Sequence, residues 1–187
     1  MKSIITALVF LALTTGCAKP LPVFGDVPDF SLTRETGGMV SKKSLEGNLW
    51  IADFIYTGCA EACPMLSTKM AELQKRTSLF STVPSLVSFS VDPETDTQER
   101  LQEYATRYGA DPARWMFLTG DTQVIQKTVT EGFKLSAVKS SDDPTTIFHA
   151  NKFVLVDRRG RIRGYFDTDD AGLNALTQSI RRLEGEK

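Results

Sequence analysis

Apolar residues occur along this chain in two alternating patterns, short continuous runs and runs with a helical period. Residues 49–56 form a mostly apolar run with β-branched and aromatic members, which predicts a strand buried on both faces of a parallel sheet. The run after Pro64 is different, because its apolar residues return every three or four positions and charged residues occupy the other faces. These apolar residues are Leu66, Met70 and Leu73. They predict an amphipathic helix directly after the strand.

The order of strand and helix then repeats. Residues 85–91 read as a second strand, and Thr97 is placed to cap a helix that presents Leu101, Tyr104 and Tyr108 on one face. Residues 114–118 read as a third strand, and a short helix is expected from Asp121 to about residue 130.

The end of the chain has a different order. Two apolar segments, residues 153–156 and 162–166, flank a polar turn and predict an antiparallel hairpin. A final helix carries the apolar residues Leu173, Leu176, Ile180 and Leu183. Early strand and helix alternation followed by a hairpin and a helix is the order of a thioredoxin-like α/β fold. We therefore expect a central mixed sheet flanked by helices.

Size and charge narrow the class of protein. The chain has 187 residues, and the roughly 170 that remain after an export segment suit one domain, expected at residues 29–184. The 22 basic and 23 acidic residues nearly cancel, so no positive field exists to attract nucleic acid. Nucleic-acid binding is not expected.

The N-terminus has the pattern of an export signal. A Lys at position 2, an apolar run from Ile4 to Leu13 and small residues before Cys17 predict a signal peptide over residues 1–16. The run is too short to span a bilayer, and the ending before Cys17 resembles a lipobox. We expect a lipid on Cys17, a linker over residues 17–28 with order beginning near Phe30, and a membrane-anchored protein in the bacterial periplasm. The alternative is an ordinary cleaved signal with an incidental Cys17.

Two cysteines lie where the first strand meets the first helix. Thr57 and Gly58 form a turn, Cys59 follows, and Cys63 stands directly before Pro64, a residue suited to the first turn of a helix. The sulfurs would lie about one helical turn apart, near the N-terminus of a helix. The unpaired N–H groups and the dipole at this end favour thiolate over thiol. Three intervening residues, rather than the two of redox thioredoxins, leave room for an ion between them. A plain disulfide is the structural alternative.

His149, the only histidine, is the candidate for a third ligand. It comes just before the strand at residues 153–156, which should run antiparallel to its neighbours and begin at the edge where the cysteine turn emerges. Two thiolates and one imidazole, from Cys59, Cys63 and His149, are a soft set suited to copper as Cu(I) or Cu(II). A structural zinc site would normally need a fourth protein ligand.

Asp92 is expected at the same edge, because it follows the second strand of a parallel pair. It is either a partner that orients His149 from outside the metal's ligand set or a turn residue ahead of Pro93.

With these residues in place, the chain resembles the Sco/SenC family of copper-binding proteins that assist cytochrome c oxidase assembly. The segments that carry the resemblance are residues 53–59 with Cys63 and Pro64, residues 90–97, and His149 ahead of residues 153–157. The resemblance implies that Cys59, Cys63 and His149 are copper ligands and that Asp92 matches a family acidic position. It also implies delivery of copper to the binuclear centre of oxidase subunit II or another copper protein, or reduction of that subunit's cysteines.

The chain departs from the family pattern in three places. Ala60 and Glu61 stand where Pro and Asp are common, and Phe148 stands where many members have an acidic residue. The three ligands are intact.

Two other functions compete with a copper chaperone. In a thiol-disulfide oxidoreductase, Cys59 attacks a substrate disulfide and Cys63 resolves the mixed disulfide, and no histidine is needed. A thiol peroxidase is less favoured, because Thr57 has no evident Arg companion.

Overall fold

The structure, a computed structural model, describes residues 19–60, 62–135 and 151–186. Within these residues, eight strands form one sheet: β1 (Gly25–Asp26), β2 (Ser31–Arg34), β3 (Met39–Ser41), β4 (Trp50–Ile55), β5 (Ser85–Ser90), β6 (Trp115–Thr119), β7 (Lys152–Val156) and β8 (Arg161–Asp167). The helices are α1 (Lys42–Leu45), α2 (Ala62–Arg76), α3 (Gln98–Arg107), α4 (Thr122–Lys127) and α5 (Asp170–Glu184), and α4 continues into a π-helical turn at Thr128–Gly132. No helix in this part of the chain has the length and apolarity to cross a membrane.

The sheet is mixed, as predicted. Its strand order is β1-β8-β7-β4-β5-β6-β2-β3. Strands β4, β5 and β6 are parallel, whereas β7 runs antiparallel to β4 and β8 antiparallel to β7. β4 therefore has a partner on each side, and all six of its residues are buried, as the continuous apolar run predicts.

Helices cover both faces of the sheet and bury two separate apolar cores. Ile51 and Ile55 of β4 pack with apolar residues of α2, α3 and α5. Trp50, Ala52 and Phe54 point the other way and pack with residues of α1, α4 and the π-helical turn. This alternation follows from the two-residue repeat of a strand. It also places Asp53 on the face covered by α2.

The first ordered contacts lie earlier in the chain than the expected start near Phe30. The Leu21 amide donates to Glu186 at 3.2 Å, β1 pairs with β8, and Val27 is fully buried. The outer edge of β8 offers backbone groups that the extended segment can pair, which composition alone does not reveal. The sequence patterns also did not predict α1, β1, β2 and β3, which are short and partly exposed.

Candidate metal centre

The two cysteines lie at the strand-to-helix junction that the sequence predicts. β4 ends at Ile55 and α2 begins at Ala62. The Cys59 amide donates to the Tyr56 carbonyl at 3.3 Å, which closes the turn, and the Cys63 amide donates to Cys59 Sγ at 3.2 Å. No disulfide joins the two cysteines in this structure, so the disulfide alternative is not the state shown. Cys59 is 8% exposed and Cys63 1%, which makes Cys59 the sulfur that a partner meets first.

Burial controls the protonation of Cys63. Removal from water raises the pKa of its thiol well above the usual value, and the sulfur of Cys59 and the carboxylate of Asp53 raise it further. The position of Cys63 in the first turn of α2 was expected to favour thiolate. Desolvation outweighs that effect here, so Cys63 is a protonated thiol at neutral pH.

Tyr56 is a neighbour of this site that the sequence analysis did not single out. Burial, together with a hydrogen bond with Cys59 and the charges of Cys59, Cys63 and Asp92, raises the pKa of its hydroxyl to about 12. Tyr56 therefore remains neutral beside the two sulfurs. The same interactions place Asp92 near the cysteine turn, at the edge predicted for it, since Ser90 at the end of β5 pairs with Ile55 at the end of β4.

Asp96 holds the cysteine turn in place and was also missed. Its carboxylate is fully buried. It accepts hydrogen bonds from the Thr57 amide at 3.0 Å and from the hydroxyls of Thr57 and Ser90, each at 2.6 Å. Thr57 lies two residues before Cys59, so one carboxylate ties the turn to the end of β5. Its own signal in the sequence, an acidic residue before the helix cap Thr97, is indistinguishable from an ordinary turn.

Asp53 lies in the core on the same side of the sheet as Cys63. Among the described residues neither of its carboxyl oxygens has a hydrogen-bond partner. Burial raises the pKa of the carboxyl to about 7; the nearby Ser88 hydroxyl lowers it but falls short of hydrogen-bond geometry. A polar residue within an apolar strand was the available signal.

The third predicted ligand cannot be placed, because His149 lies outside the described residues, as do Cys17 and the signal peptide. Within the described part of the chain, no three His, Cys, Asp or Glu side chains form a cluster that could hold a metal ion. The structure therefore brings together Cys59 and Cys63, with Asp92 nearby. Two thiol sulfurs one turn apart are the donors that a soft ion such as Cu(I) prefers, so the residues present fit copper.

Comparison with known proteins agrees with this description. The SCO1/SenC family model matches residues 25–184. The SCO1 protein homolog of Bacillus subtilis is 33% identical over 165 residues, which cover 87% of this chain and 85% of that protein.

Two solved structures are similar along nearly their whole length. The first is BsSco, described as a member of the Sco family of cytochrome c oxidase assembly proteins with a disulfide switch; it is 27% identical, with a TM-score of 0.79, and the match covers 89% of this chain and 98% of that one. The second is Bradyrhizobium japonicum ScoI with copper bound, which is 28% identical, with a TM-score of 0.70, and the match covers 84% and 99%. The thioredoxin-like fold is thus confirmed. The chain belongs to the SCO1/SenC family.

Proposed function

We propose that this protein is a copper metallochaperone that holds one copper ion through Cys59, Cys63 and His149 and passes it to another copper protein. The first candidate for the recipient is the binuclear centre of cytochrome c oxidase subunit II. The observation that carries the proposal is the contact of Cys59 Sγ with the Cys63 amide at 3.2 Å, which brings two reduced cysteines together at one edge of the sheet. Copper bound in the similar ScoI structure supports it.

The residues around the thiols have distinct parts in this function. Cys59, the more exposed sulfur, receives the ion from solvent or from a partner. Cys63 is buried, so its bond to copper would be protected from water. Both sulfurs bind as thiolates, and their protons are released as the ion enters. Asp96 keeps the turn formed before an ion arrives, because it fixes Thr57 through the backbone and the hydroxyl.

The proposal is tested by titrating the reduced full-length chain, in detergent and without oxygen, with Cu(I) against a chromophoric chelator. We expect one ion per chain, clearly weaker binding in His149→Ala, and no tight binding in Cys59→Ser or Cys63→Ser. Asn151→Ala, a change at an exposed residue near His149 in sequence, should bind as the unaltered chain does. Equal affinity in His149→Ala would remove the histidine from the ligand set, and no binding by the unaltered chain would remove copper.

A thiol-disulfide oxidoreductase is the second candidate, and the unequal exposure of the two reduced cysteines favours it. The Cys59 thiolate attacks a substrate disulfide and releases one substrate thiolate. The Cys63 thiol then loses its proton and attacks the Cys59 sulfur of the mixed disulfide. The second substrate sulfur leaves and takes up a proton, so that the substrate is reduced and the chain carries a disulfide. The disulfide switch named for BsSco supports this chemistry. His149→Ala should spare disulfide reduction while it weakens copper binding, so one variant separates the two functions.

We also propose that the chain is tethered to a membrane in the bacterial periplasm through lipid on Cys17. The support is the pattern of residues 1–17. Globomycin should block maturation of the full-length chain in a bacterial host, and Cys17→Ser should release it from the membrane fraction. Unaltered processing in the presence of the drug would exclude the lipoprotein route.

A further inference from the structure

A polar groove lies beside the cysteine turn, on the side of α3. Its volume is roughly 280 Å³, and it is open to solvent. Its walls come from the two residues before Cys59 and from one face of α3. We call it the arginine groove, and its lining residues are Thr57, Gly58, Arg100, Glu103, Tyr104 and Arg107.

The arginine groove has a positive charge that no ion pair among the described residues neutralises. Arg100 donates one hydrogen bond, from Nη1 to the Thr95 carbonyl at 3.3 Å, and the Arg107 guanidinium lies 5.9 Å from the centre of the Tyr104 ring. In the part of the chain that the structure describes, neither arginine forms an ion pair, and neither does Glu103. Two cations and one anion leave the groove positive.

Cations on the neighbouring helix behave differently. Lys69 of α2 contacts Glu72 at 3.1 Å and Asp170 at 2.9 Å, and Arg76 pairs with Glu72. The whole chain has a formal net charge of −1. Two arginines next to the reactive turn that have no carboxylate partner among the described residues are therefore a local feature and not a consequence of a basic protein.

The same side of the molecule gives access to the sulfurs. Gly58 is exposed, and a Cβ at this position would only touch the Tyr56 ring at 3.7 Å, so packing does not require the glycine. Because glycine has no side chain, a partner can approach Cys59 from this side without steric obstruction. A partner whose sulfur reaches Cys59 must cover Gly58 and, with it, the edge of the arginine groove.

We propose that the arginine groove docks an acidic segment of the partner protein, so that carboxylates on that segment bind Arg100 and Arg107 while a neighbouring cysteine of the partner meets Cys59. Arginine is suited to this task because its planar guanidinium binds a carboxylate through two parallel hydrogen bonds. The charge steers the encounter and fixes its orientation. This inference deepens the proposed function and rests on it, because it names the chemistry of the recipient.

The test measures the encounter through the reaction of Cys59 with short synthetic peptides. Each peptide carries one cysteine as a mixed disulfide with thionitrobenzoate, flanked by four Glu, four Gln or four Lys residues. The Cys59 thiolate attacks the peptide sulfur, a disulfide forms between chain and peptide, the bond to thionitrobenzoate breaks, and the coloured thiolate leaves. The measured quantity is the second-order rate constant, with the reduced full-length chain at about 20 mM and about 500 mM salt.

We expect the acidic peptide to react roughly tenfold faster than the neutral one at low salt, with the ratio falling toward one at high salt. The double variant R100E/R107E should abolish or invert the preference. The ratio of acidic to neutral peptide within one variant cancels any change in the nucleophilicity of Cys59. R100Q/R107Q removes the charge without reversing it and should bring the ratio close to one. It serves as a second test if the two charge reversals in R100E/R107E disrupt α3.

The matched control is K43E/R159E, which changes the net charge by the same amount at exposed residues of α1 and of the β7–β8 turn. It should keep the preference for the acidic peptide. No preference in the unaltered chain, a preference that survives R100E/R107E, or equal loss in the control would each overturn the proposal. Cu(I) titration of the same variants separates this failure from failure of the copper site, because peptide coupling requires only the Cys59 thiol.

Discussion

Each end of the central sheet has a buried aspartate, and the pKa values of the two carboxyl groups are shifted in opposite directions. At the β7–β8 turn, Asp157 accepts hydrogen bonds from Arg161 Nε at 2.8 Å and from Arg163 Nη1 at 2.9 Å. Burial alone would raise the pKa of Asp157, but these donors lower it below its usual value. At the cysteine end, Asp53 has no such donor among the described residues, and burial raises the pKa of its carboxyl to about 7.

This difference separates the end of the sheet that stabilises the fold from the end that holds the reactive groups. Val156, beside Asp157, pairs with Trp50 at the start of β4, whereas Cys59 follows the end of that strand. The end of the sheet at the β7–β8 turn, here called the turn end, is therefore stabilised by ion pairs, which include Arg163 with Glu186 at 2.6 Å. The cysteine end instead holds a protonated thiol, a carboxyl with no hydrogen-bond partner in the described part of the chain, and a turn fixed by one aspartate. Sites that retain such groups commonly do so at a cost in stability.

The largest expected effect comes from breaking the turn end. Arg163→Met removes one of the two arginine partners of Asp157 and also the donor to the carbonyls of Leu21 and Pro22. Because Arg163 is 3% exposed, the loss takes a buried charge from Asp157, which keeps Arg161, and breaks the ion pair with Glu186. The free energy of unfolding should fall by about 3 to 5 kcal/mol. Urea denaturation measures this.

The control for that change is Arg159→Ala, an exposed residue of the same turn, which should hardly alter the urea midpoint. Cu(I) stoichiometry should stay at one per folded chain in both variants. A loss below about 1 kcal/mol in Arg163→Met would mean that the ion pairs at this end do not stabilise the fold beyond the level of a surface pair.

The second effect has the opposite sign and depends on pH. The folded-state pKa of Asp53, about 7, lies above its ordinary value of 3.8, so the carboxyl destabilises the fold increasingly as pH rises from 3.8 to 7, and it does so fully above 7. Asp53→Asn should match the unaltered chain near pH 3.5 and exceed it by up to about 4 kcal/mol near pH 8. Thermal and urea unfolding across this range give the measurement.

Asp157→Asn is the matched control, because the same chemical change acts on a carboxylate with a lowered pKa. It should destabilise the fold at neutral pH, and the difference should shrink as pH falls through the folded-state pKa, below 3.8. If both variants changed stability in the same direction at pH 8, the contrast between the two ends would be wrong.

The elements that surround the site could be predicted because their patterns are long and unambiguous. The apolar run of β4 and the helical spacing of Leu66, Met70 and Leu73 lie in the elements expected, and Thr97 caps α3. The short strands β1, β2 and β3 could not be predicted, since two to four residues give little periodicity. They form because neighbouring strands offer backbone partners.

The site was predictable to the extent that it depends on spacing and topology. Cys59 and Cys63 follow from their separation and their place after a strand, and Asp92 follows from the parallel pairing of β4 and β5. Asp53 and Asp96 could not be predicted in this way. Whether a buried aspartate finds donors depends on side chains brought from distant segments, and sequence patterns do not specify that.

The smallest of the three effects concerns Asp96 and decides how the cysteine end is held. Asp96→Asn replaces one of two acceptor oxygens with a donor. One of the hydrogen bonds from Thr57 and Ser90 then loses its acceptor, and the other is made to a neutral oxygen instead of a charged one. The free energy of unfolding should fall by about 1 to 3 kcal/mol. The turn should also open more often, which would speed alkylation of Cys59 several-fold.

Asp121→Asn separates the local effect from the general one, because Asp121 caps α4 and Asn caps a helix about as well as Asp. It should change stability by a few tenths of a kcal/mol and leave the alkylation of Cys59 unaltered. If Asp96→Asn lowered stability but left the alkylation rate unchanged, Asp96 would anchor the loop between β5 and α3 and not the cysteine turn. The preformed turn would then depend on the hydrogen bonds from the Cys59 amide to the Tyr56 carbonyl and from the Cys63 amide to Cys59 Sγ, and copper entry would have to order it.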